Sequence, residues 1–128
     1  VDMTIYGIGS DIIDVKRIKK ALINKKFKEK IFSKNEIKMM KIKSDKFASY
    51  AKRFAAKEAF SKALGTGISG GISFKDISIK NDTKGKPFIE LLGKTKLIVK
   101  KIIKKKYKIF LTISDEQKNA IAMVVITY

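Results

Sequence analysis

The feature that most constrains the fold is a set of alanines at helical spacing in the middle of the chain. Alanine occupies positions 48, 51, 55, 56, 59 and 63. It has the highest helix propensity of any residue, and its small side chain lets neighbouring elements pack closely. Gly65 stands where a helix C-cap glycine belongs. The pattern predicts a helix over about 47–64, the long central helix of the fold.

Before this helix, the sequence predicts one strand and two helices. The strand covers 3–12. Asp14 is the expected N-cap of a helix over 15–29. Ser33 and Glu36 form a capping box that starts a short helix ending near residue 43.

After the central helix, alternating apolar residues predict a hairpin of strands over 72–82 and 87–92, joined by the turn "TKGK". A helix over 95–106 and strands over 107–113 and 120–128 complete the chain. The order is one strand, three helices, two strands, a helix and two strands. We therefore expect a single α+β domain over 1–128, with a largely antiparallel sheet packed on the central helix.

The composition restricts the chemistry. The chain has no Cys and no His, so thiolate and imidazole chemistry is excluded, and any metal must be held by oxygen ligands, as Mg²⁺ is. No run of about 18 apolar residues predicts a membrane span, and no signal-peptide pattern is found, so we expect a soluble protein.

The formal net charge is +18, and of the 30 basic residues only Arg17 and Arg53 are arginines. A field of this sign attracts polyanions such as nucleic acid, phosphorylated metabolites, anionic lipid or an acidic protein. The alternative explanation for so many lysines is a biased base composition of the source genome.

The N-terminal stretch "GIGSDI" places Gly7, Gly9 and Asp11 on one face of the first predicted strand. It lacks the third glycine and the parallel β-α-β alternation of a dinucleotide-binding fold. Asp11 has two interpretations. It caps the following turn, or it is a metal ligand on a strand whose glycines leave room for a phosphorylated molecule.

The stretch "RFAAKEAFSKALGTG" places one carboxylate, Glu58, on a helix face shared with Phe54, Ser61 and Lys62. An ordinary Glu58–Lys62 pair on a solvated face explains this pattern. The glycine-rich loop that follows favours a second interpretation, in which Glu58 and Asp11 hold a divalent cation. Lysines and loop N–H groups would then bind phosphate oxygens.

Two further basic stretches have structural explanations. "TKGKPF" is sufficiently explained as a hairpin turn that needs Gly85, although Lys86 beside Pro87 is suited to contact a phosphate or a nucleoside. "KKIIKKKYK" is explained as the polar face of a helix, with a polyanion-binding patch as the alternative.

Together, "GIGSDIIDVKRI" and "RFAAKEAFSKALGTGI" closely resemble the two signatures of the holo-[acyl-carrier-protein] synthase family, small phosphopantetheinyl transferases. The resemblance extends through "FSKNEI", "NDTKGKPFIEL" and "LTISDEQKNAIAMVVI" to cover essentially the whole chain. It implies transfer of the phosphopantetheine arm of coenzyme A to a serine of apo acyl carrier protein. The products are holo acyl carrier protein and adenosine bisphosphate.

The resemblance also implies residue roles. Asp11 and Glu58 would hold Mg²⁺, and Lys62 would lie near the pyrophosphate, which makes these three the expected catalytic residues. The acidic carrier would dock on the basic helix at Lys16, Arg17 and Lys20. The residues expected to contact coenzyme A are Arg53, Phe54, Lys57, Ser61, Lys62, Gly65, Thr66, Gly67, Lys86 and Pro87.

The family resemblance further implies a homotrimer with active sites shared between neighbouring subunits, and a role in fatty acid biosynthesis. We expect a cytoplasmic enzyme of a bacterium or of an organelle of bacterial descent, with neither a nucleic acid nor a membrane as partner. The alternative from another class is a basic nucleic-acid-binding domain, which explains the charge but neither Asp11 nor Glu58.

Two chemical points depend on single residues. The base that takes the serine proton is a metal-associated water, Glu36 or another carboxylate, and we favour water because Glu36 is explained by the capping box. Many family members have His where this chain has Asp115. A ligand contact made by that His therefore cannot be assigned to this chain.

Overall fold

A computed structural model describes residues 3–67 and 70–128. Its strands are β1 (Ile5–Asp14), β2 (Ile77–Asn81), β3 (Pro87–Leu91), β4 (Lys108–Asp115) and β5 (Asn119–Thr127). Its helices are α1 (Val15–Ala21), α2 (Lys25–Ile31), α3 (Lys34–Met40), α4 (Lys46–Leu64) and α5 (Gly93–Ile103). The α+β class, the long central helix α4 and the antiparallel pairing confirm the predicted fold.

The strands form two antiparallel sheets. One has the order β1-β5-β4, and the other is the predicted β2–β3 hairpin. Helix α4 packs mainly against β1 and β5, and its buried alanines belong to the same core as Val124 and Ile126 of β5. Among the described residues, no helix is long and apolar enough to cross a membrane.

Two glycines of β1 allow this close packing. A Cβ at Gly7 would lie 1.9 Å from the carbonyl oxygen of Ala63, and one at Gly9 would lie 2.0 Å from that of Ala59. Real side chains never approach backbone atoms so closely, so only glycine fits at either position. The strand therefore lies directly against the alanine-rich side of α4.

The caps confirm three local predictions. The side chain of Asp14 accepts the N–H of Lys16 at the start of α1. Ser33 and Glu36 form the expected capping box of α3. Gly65 ends α4 with a left-handed φ of 88°.

The predictions were wrong by more than three residues at two places. The single helix expected over 15–29 is two helices, because Asn24 accepts the N–H groups of Lys26 and Phe27 and starts α2. The strand expected from residue 72 begins only at Ile77, because Phe74–Asp76 form one turn of 3₁₀ helix.

Candidate active site

Two carboxylates from distant parts of the sequence meet beside the contact between β1 and α4. Asp11 follows Gly9 by two residues on β1, and Glu58 precedes Ala59 on α4. The Glu58 side chain is partly buried, and this burial, together with the nearby negative charge of Asp11, raises the pKa of its carboxyl group. Lys62 opposes that shift. The structure therefore brings together the acid pair predicted as the metal site.

Lys62 lies on the same side of α4 and reaches across to β1. Its Nζ is 3.2 Å from Oδ1 of Asp11 and donates to the carbonyl oxygen of Ser10 at 3.0 Å. Among the described residues it forms no ion pair with Glu58, so the ordinary i, i+4 helix pair is not what the structure contains. The ammonium group is exposed, so it is able to turn toward an anion bound beside the two carboxylates.

The donor set fits a hard divalent cation. In the described part of the chain, no group of three or more Asp, Glu, His or Cys side chains is arranged to hold a metal. A cation held by Asp11 and Glu58 would therefore take two carboxylate groups from the protein, and water or phosphate oxygens would fill its remaining coordination positions. Mg²⁺ is bound in this way in many phosphate-transferring enzymes, by one or two carboxylates plus substrate oxygens.

The structure corrects the expectation that Lys57 contacts a ligand. Its side chain is 0% exposed and forms an ion pair with Glu36, with 2.7 Å between Nζ and Oε1. The same Nζ donates to the carbonyl oxygens of Phe74 at 2.8 Å and Ile77 at 2.6 Å. Burial lowers the pKa of the Lys57 ammonium, and the charge of Glu36 opposes this. Lys57 therefore ties α3, α4 and the start of β2 together.

The same network removes Glu36 as a candidate base. Its Oε1 also accepts the N–H of Ser33, and its Oε2 accepts the N–H of Ile79. Because the carboxylate is fully buried and accepts from three partners, Lys57, Ser33 and Ile79, it has no surface facing the Asp11–Glu58 pair.

Arg53 and Ser61 also lie inside the protein rather than on a ligand-facing surface. The Arg53 guanidinium donates to Oδ1 of Asn81 at 3.2 Å and to the carbonyl oxygen of Ser49. Its Nε is buried and has no hydrogen-bond partner among the residues that the structure describes. The expectation that Arg53 and Ser61 contact coenzyme A directly is therefore corrected to a buried position for both, with Arg53 holding the β2–β3 turn through Asn81.

Phe54 is half-buried one helical turn before Glu58. Its ring lies 6.2 Å from the ring of Phe27 and 6.1 Å from that of Phe74, centroid to centroid. Phe54 therefore packs against other aromatic side chains one helical turn before Glu58.

The loop after α4 begins with Gly65, Thr66 and Gly67, all at least partly exposed. Both glycines have positive φ, and a Cβ at either would meet nothing within 4 Å. The Thr66 hydroxyl lies 3.3 Å from the carbonyl oxygen of Gly67. The middle of the predicted phosphate-binding loop, residues 68 and 69, lies outside the described residues.

Lys86 and Pro87 lie at a different edge of the molecule. They line a groove of about 440 Å³ together with Phe88, Phe110 and Met123. The hairpin that carries them contacts β4, whereas Asp11 is on β1, at the opposite edge of the three-stranded sheet. One copy of the chain therefore does not bring Lys86 and Pro87 to the carboxylate pair.

The expected carrier-binding residues Lys16, Arg17 and Lys20 are all exposed on α1. Beside them is a second groove of about 440 Å³, whose apolar lining includes Leu22, Ile23 and Phe47. The sequence reasoning identified the charges and missed this apolar part, because Phe47 reaches the groove from α4.

Sequence reasoning also missed what the outer face of the three-stranded sheet presents. The register places Ile8 beside Val125, Ile12 beside Ile121, and Phe110 beside Val125. Most of these apolar side chains are exposed, together with Met123 in the middle of the face. The sequence of β1 could have indicated this apolar outer face, because Asp11 and Asp14 are the only charged residues of that strand.

Asp115 is the residue at which the family resemblance implies His in many relatives. Its carboxylate is 3.2 Å from Nζ of Lys52 on α4. In this chain the position is therefore used for an ion pair between β4 and α4.

The fold and this site together define the class of protein to which the chain belongs. Residues 7–123 match the family model described as the 4'-phosphopantetheinyl transferase superfamily. The chain is 47% identical over 129 residues to the holo-[acyl-carrier-protein] synthase of Pelagibacter ubique (strain HTCC1062), covering 97% of this chain and 98% of the relative. The chain therefore belongs to the holo-[acyl-carrier-protein] synthase family of phosphopantetheinyl transferases, which are enzymes.

Solved structures of similar proteins agree with this family assignment. The crystal structure of the Bacillus anthracis str. Ames synthase in complex with coenzyme A (3',5'-ADP) has a TM-score of 0.79 and 40% identity, covering 98% of each chain. The Plasmodium yoelii acyl carrier protein synthase with ADP bound has a TM-score of 0.84 and 38% identity, covering 99% of this chain and 98% of the other.

Proposed function

We propose that this protein transfers the phosphopantetheine arm of coenzyme A to a serine of an acidic apo acyl carrier protein. The observation that carries the proposal is the cluster of Asp11, Glu58 and Lys62, held together by the contact between β1 and α4. The coenzyme A and 3',5'-ADP named for the Bacillus anthracis relative support this substrate.

In the proposed reaction, the serine oxygen forms a bond to the β-phosphorus of coenzyme A. The bond from that phosphorus to the bridging oxygen breaks, and its electron pair leaves with the adenosine bisphosphate. The serine proton passes to water, since Glu36 is buried in its ion pair with Lys57. Charge therefore grows on the leaving phosphate and must be neutralised there.

The residues of this chain are suited to that neutralisation. Asp11 and Glu58 would hold Mg²⁺, which when bound supplies positive charge next to the phosphate oxygens. Lys62, which bonds to Asp11 in the structure, would turn its ammonium group toward the leaving phosphate. Its exposed side chain allows this movement without repacking of the core.

We further propose that the enzyme works as a homotrimer with shared active sites. An exposed apolar face such as that formed by Ile8, Ile12, Ile121 and Met123 is typical of a surface that binds another subunit. In addition, Lys86 and Pro87 lie at the β4 edge and Asp11 at the β1 edge. In one chain the groove at the hairpin is distant from the carboxylate pair. A neighbouring copy would bring its own hairpin groove to that pair.

The carrier would dock on α1. Lys16, Arg17 and Lys20 are exposed and match an acidic partner in charge. The neighbouring groove with Ile23 and Phe47 offers an apolar contact inside the basic rim. Charge would thus steer the carrier, and the apolar contact would hold it.

The test is to incubate the protein with coenzyme A, Mg²⁺ and an apo acyl carrier protein and to weigh the carrier by mass spectrometry. We expect the carrier to gain one phosphopantetheine, and a carrier with its acceptor serine replaced by alanine to gain none. No mass gain under conditions in which another member of the family is active would refute the proposal.

A further inference from the structure

Helix α5 and the residues after it form a basic surface that the proposed reaction does not use. Between Leu91 and Ser114 the sequence contains eight lysines and no acidic residue. All eight are exposed. We call the following residues the α5 basic surface: Lys94, Lys96, Leu97, Lys100, Lys101, Lys104, Lys105 and Lys106.

The ion pairs that the described residues form do not neutralise this charge. Ion pairs elsewhere use Lys25, Lys52, Lys57, Lys62 and Lys80. Within residues 3–67 and 70–128, no lysine of the α5 basic surface pairs with a carboxylate, and Lys105 instead lies 4.8 Å from the centre of the Tyr128 ring. The C-terminus of α5 carries a partial negative charge of roughly half a unit. It offsets only a small part of the positive charge of the α5 basic surface, and the rest is available to bind an anionic partner.

An apolar side chain projects from the middle of these lysines. Leu97 is 60% exposed, although it lies on a helix whose inward residues Val99 and Ile103 are buried in the core. On a helix its nearest neighbours are the residues three and four positions away, which include Lys94, Lys100 and Lys101. The packed inward face fixes the helix, so Leu97 faces outward within a ring of ammonium groups.

The chain after α5 extends the surface into a concave shape. Lys104 has a φ of 63°, a left-handed conformation that is unusual outside glycine. The turn places Lys105, Lys106 and Tyr107 beside Lys96 and Lys100, around a groove of about 560 Å³. Several ammonium groups thus face one space.

We propose that the α5 basic surface binds the anionic headgroup region of a lipid bilayer. Lysines on a rigid helix attract negatively charged phospholipids, and an apolar side chain among them enters the boundary between headgroups and acyl chains. The apolar stems of the lysines add to that contact. This proposal replaces the expectation, from sequence alone, that no membrane is a partner.

A nucleic acid fits the same charges less well. Leu97 has no apolar partner on a phosphodiester backbone. The aromatic ring in the groove, Tyr107, is half-buried, and burial raises the pKa of its hydroxyl. Single-stranded nucleic acids are instead bound by exposed aromatic rings on which bases stack. The combination of Leu97 with surrounding lysines therefore favours lipid.

The position of the surface leaves the carrier-docking helix free. Lys105 lies over Tyr128, whose backbone pairs with Thr4, just before the start of β1. Helix α1 begins directly after Asp14, at the other end of β1, roughly 30 Å away for a strand of ten residues. A bilayer bound at the end of α5 would not cover Lys16, Arg17 or Lys20.

The experiment measures binding of the full chain to vesicles of phosphatidylcholine with and without phosphatidylglycerol, by flotation at physiological salt. The first variant changes Lys96, Lys100, Lys101 and Lys105 to Gln. The matched control removes the same charge elsewhere by changing Lys26, Lys30, Lys34 and Lys38 to Gln, all of which are exposed and unpaired in the described structure. Circular dichroism checks that both variants fold.

We expect the wild type and the control to float with phosphatidylglycerol vesicles, and the α5 variant to bind at least about 100-fold more weakly. Leu97→Gln should weaken vesicle binding by about 5-fold and leave binding to heparin unchanged. Absence of wild-type flotation, or equal losses in the α5 variant and the control, would overturn the proposal. So would an effect of Leu97→Gln that is the same for vesicles and heparin, or absent for both.

Transferase activity with a soluble carrier is measured in parallel. Because the α5 basic surface is separate from the carboxylate pair and from α1, its variant should retain the wild-type rate. Vesicle binding and phosphopantetheine transfer thus succeed or fail independently of one another.

Discussion

Gly9→Ala tests whether the contact between β1 and α4 sets the geometry of the site. A Cβ at Gly9 would lie 2.0 Å from the carbonyl oxygen of Ala59 and 2.7 Å from the backbone nitrogen of Ala63. Both are backbone atoms, and ordinary contact begins at 3.4 Å. Strand and helix must therefore separate by roughly 1 Å or more, because the surrounding core is close-packed.

This separation has two measurable consequences. Overpacking of this kind costs ~1–3 kcal/mol, which corresponds to a decrease in Tm of about 5–10 °C for a chain of this length. Because Asp11 follows Gly9 closely and Glu58 is adjacent to Ala59, the same movement displaces the two carboxylates relative to each other. A misplacement of about 1 Å is expected to lower kcat about 100-fold.

The assay combines calorimetric unfolding with the rate of carrier modification, measured well below the Tm of the variant. Gly93→Ala is the control. Its Cβ would meet only the Asp76 side chain, at 3.4 Å, and its φ of +51° adds backbone strain at the start of α5, outside the contact between β1 and α4. We expect that control to lose stability and keep its rate. A Gly9→Ala variant with unchanged Tm and rate would refute the reasoning.

Four further predictions follow from the same structure. Glu58→Gln should lower kcat at least about 100-fold, as measured by carrier mass, because the variant loses the carboxylate charge of the site. The Tm, measured by calorimetry, should not fall, because the substitution removes a partly buried charge that Asp11 repels. A decrease in kcat of less than tenfold would contradict the role of Glu58. Lys57→Met should lower the free energy of unfolding in urea by about 3–5 kcal/mol, since Glu36 keeps an unpaired buried charge. The double variant Lys57→Met/Glu36→Gln should be destabilised clearly less. Equal destabilisation of the two variants would show that the pair is not coupled. Met123→Lys should dissociate the trimer in analytical ultracentrifugation and abolish transfer, because a charge replaces an apolar contact in the proposed interface; an active trimeric variant would exclude this face. Mg²⁺ affinity is measured by calorimetry from about pH 8 down to about pH 5. Because the pKa of Glu58 is raised, its carboxylate takes up a proton at a higher pH than an ordinary carboxyl group, and the Mg²⁺ affinity should begin to fall at that higher pH. A constant affinity over this range would contradict the prediction.

Much of the fold was predictable because its signals are local. The caps at Asp14, Ser33 and Gly65 depend on residues only a few positions away. The alanines of α4 indicated close packing before the partner was known. The glycines of β1 were expected to leave room for a phosphorylated molecule, and this was wrong, because the backbone of α4 fills that space. The Asp11–Glu58 pair was expected from the glycine-rich loop that follows Glu58 and from the resemblance to the two family signatures.

The failures share a physical cause. Lys57 lies on the helix where a ligand-facing side chain is expected, but α3 and β2 cover that side of α4, and Glu36 is 21 residues away in sequence. Nothing local in "KEA" indicates that its lysine is buried. The break between α1 and α2 depends on whether Asn24 caps a new helix or continues the first one, and helical spacing alone does not separate these outcomes.

The distribution of surface properties was also beyond the sequence. The lysines are spread along the chain, so their number did not indicate which ones bond to carboxylates and which, in the described part of the chain, form no ion pair, as on α5. Likewise, the apolar outer face of the sheet combines residues of β1, β4 and β5 that only the register brings side by side.

Anomalous diffraction from crystals of the protein grown with coenzyme A and Mn²⁺ in place of Mg²⁺ tests directly whether Asp11 and Glu58 hold the metal. The proposal predicts one anomalous peak within coordination distance of oxygens from both Asp11 and Glu58, next to the pyrophosphate. Glu58→Gln crystals should lack that peak. A peak located elsewhere, or one that persists in the Glu58→Gln variant, would contradict the assignment of these two carboxylates as the metal site.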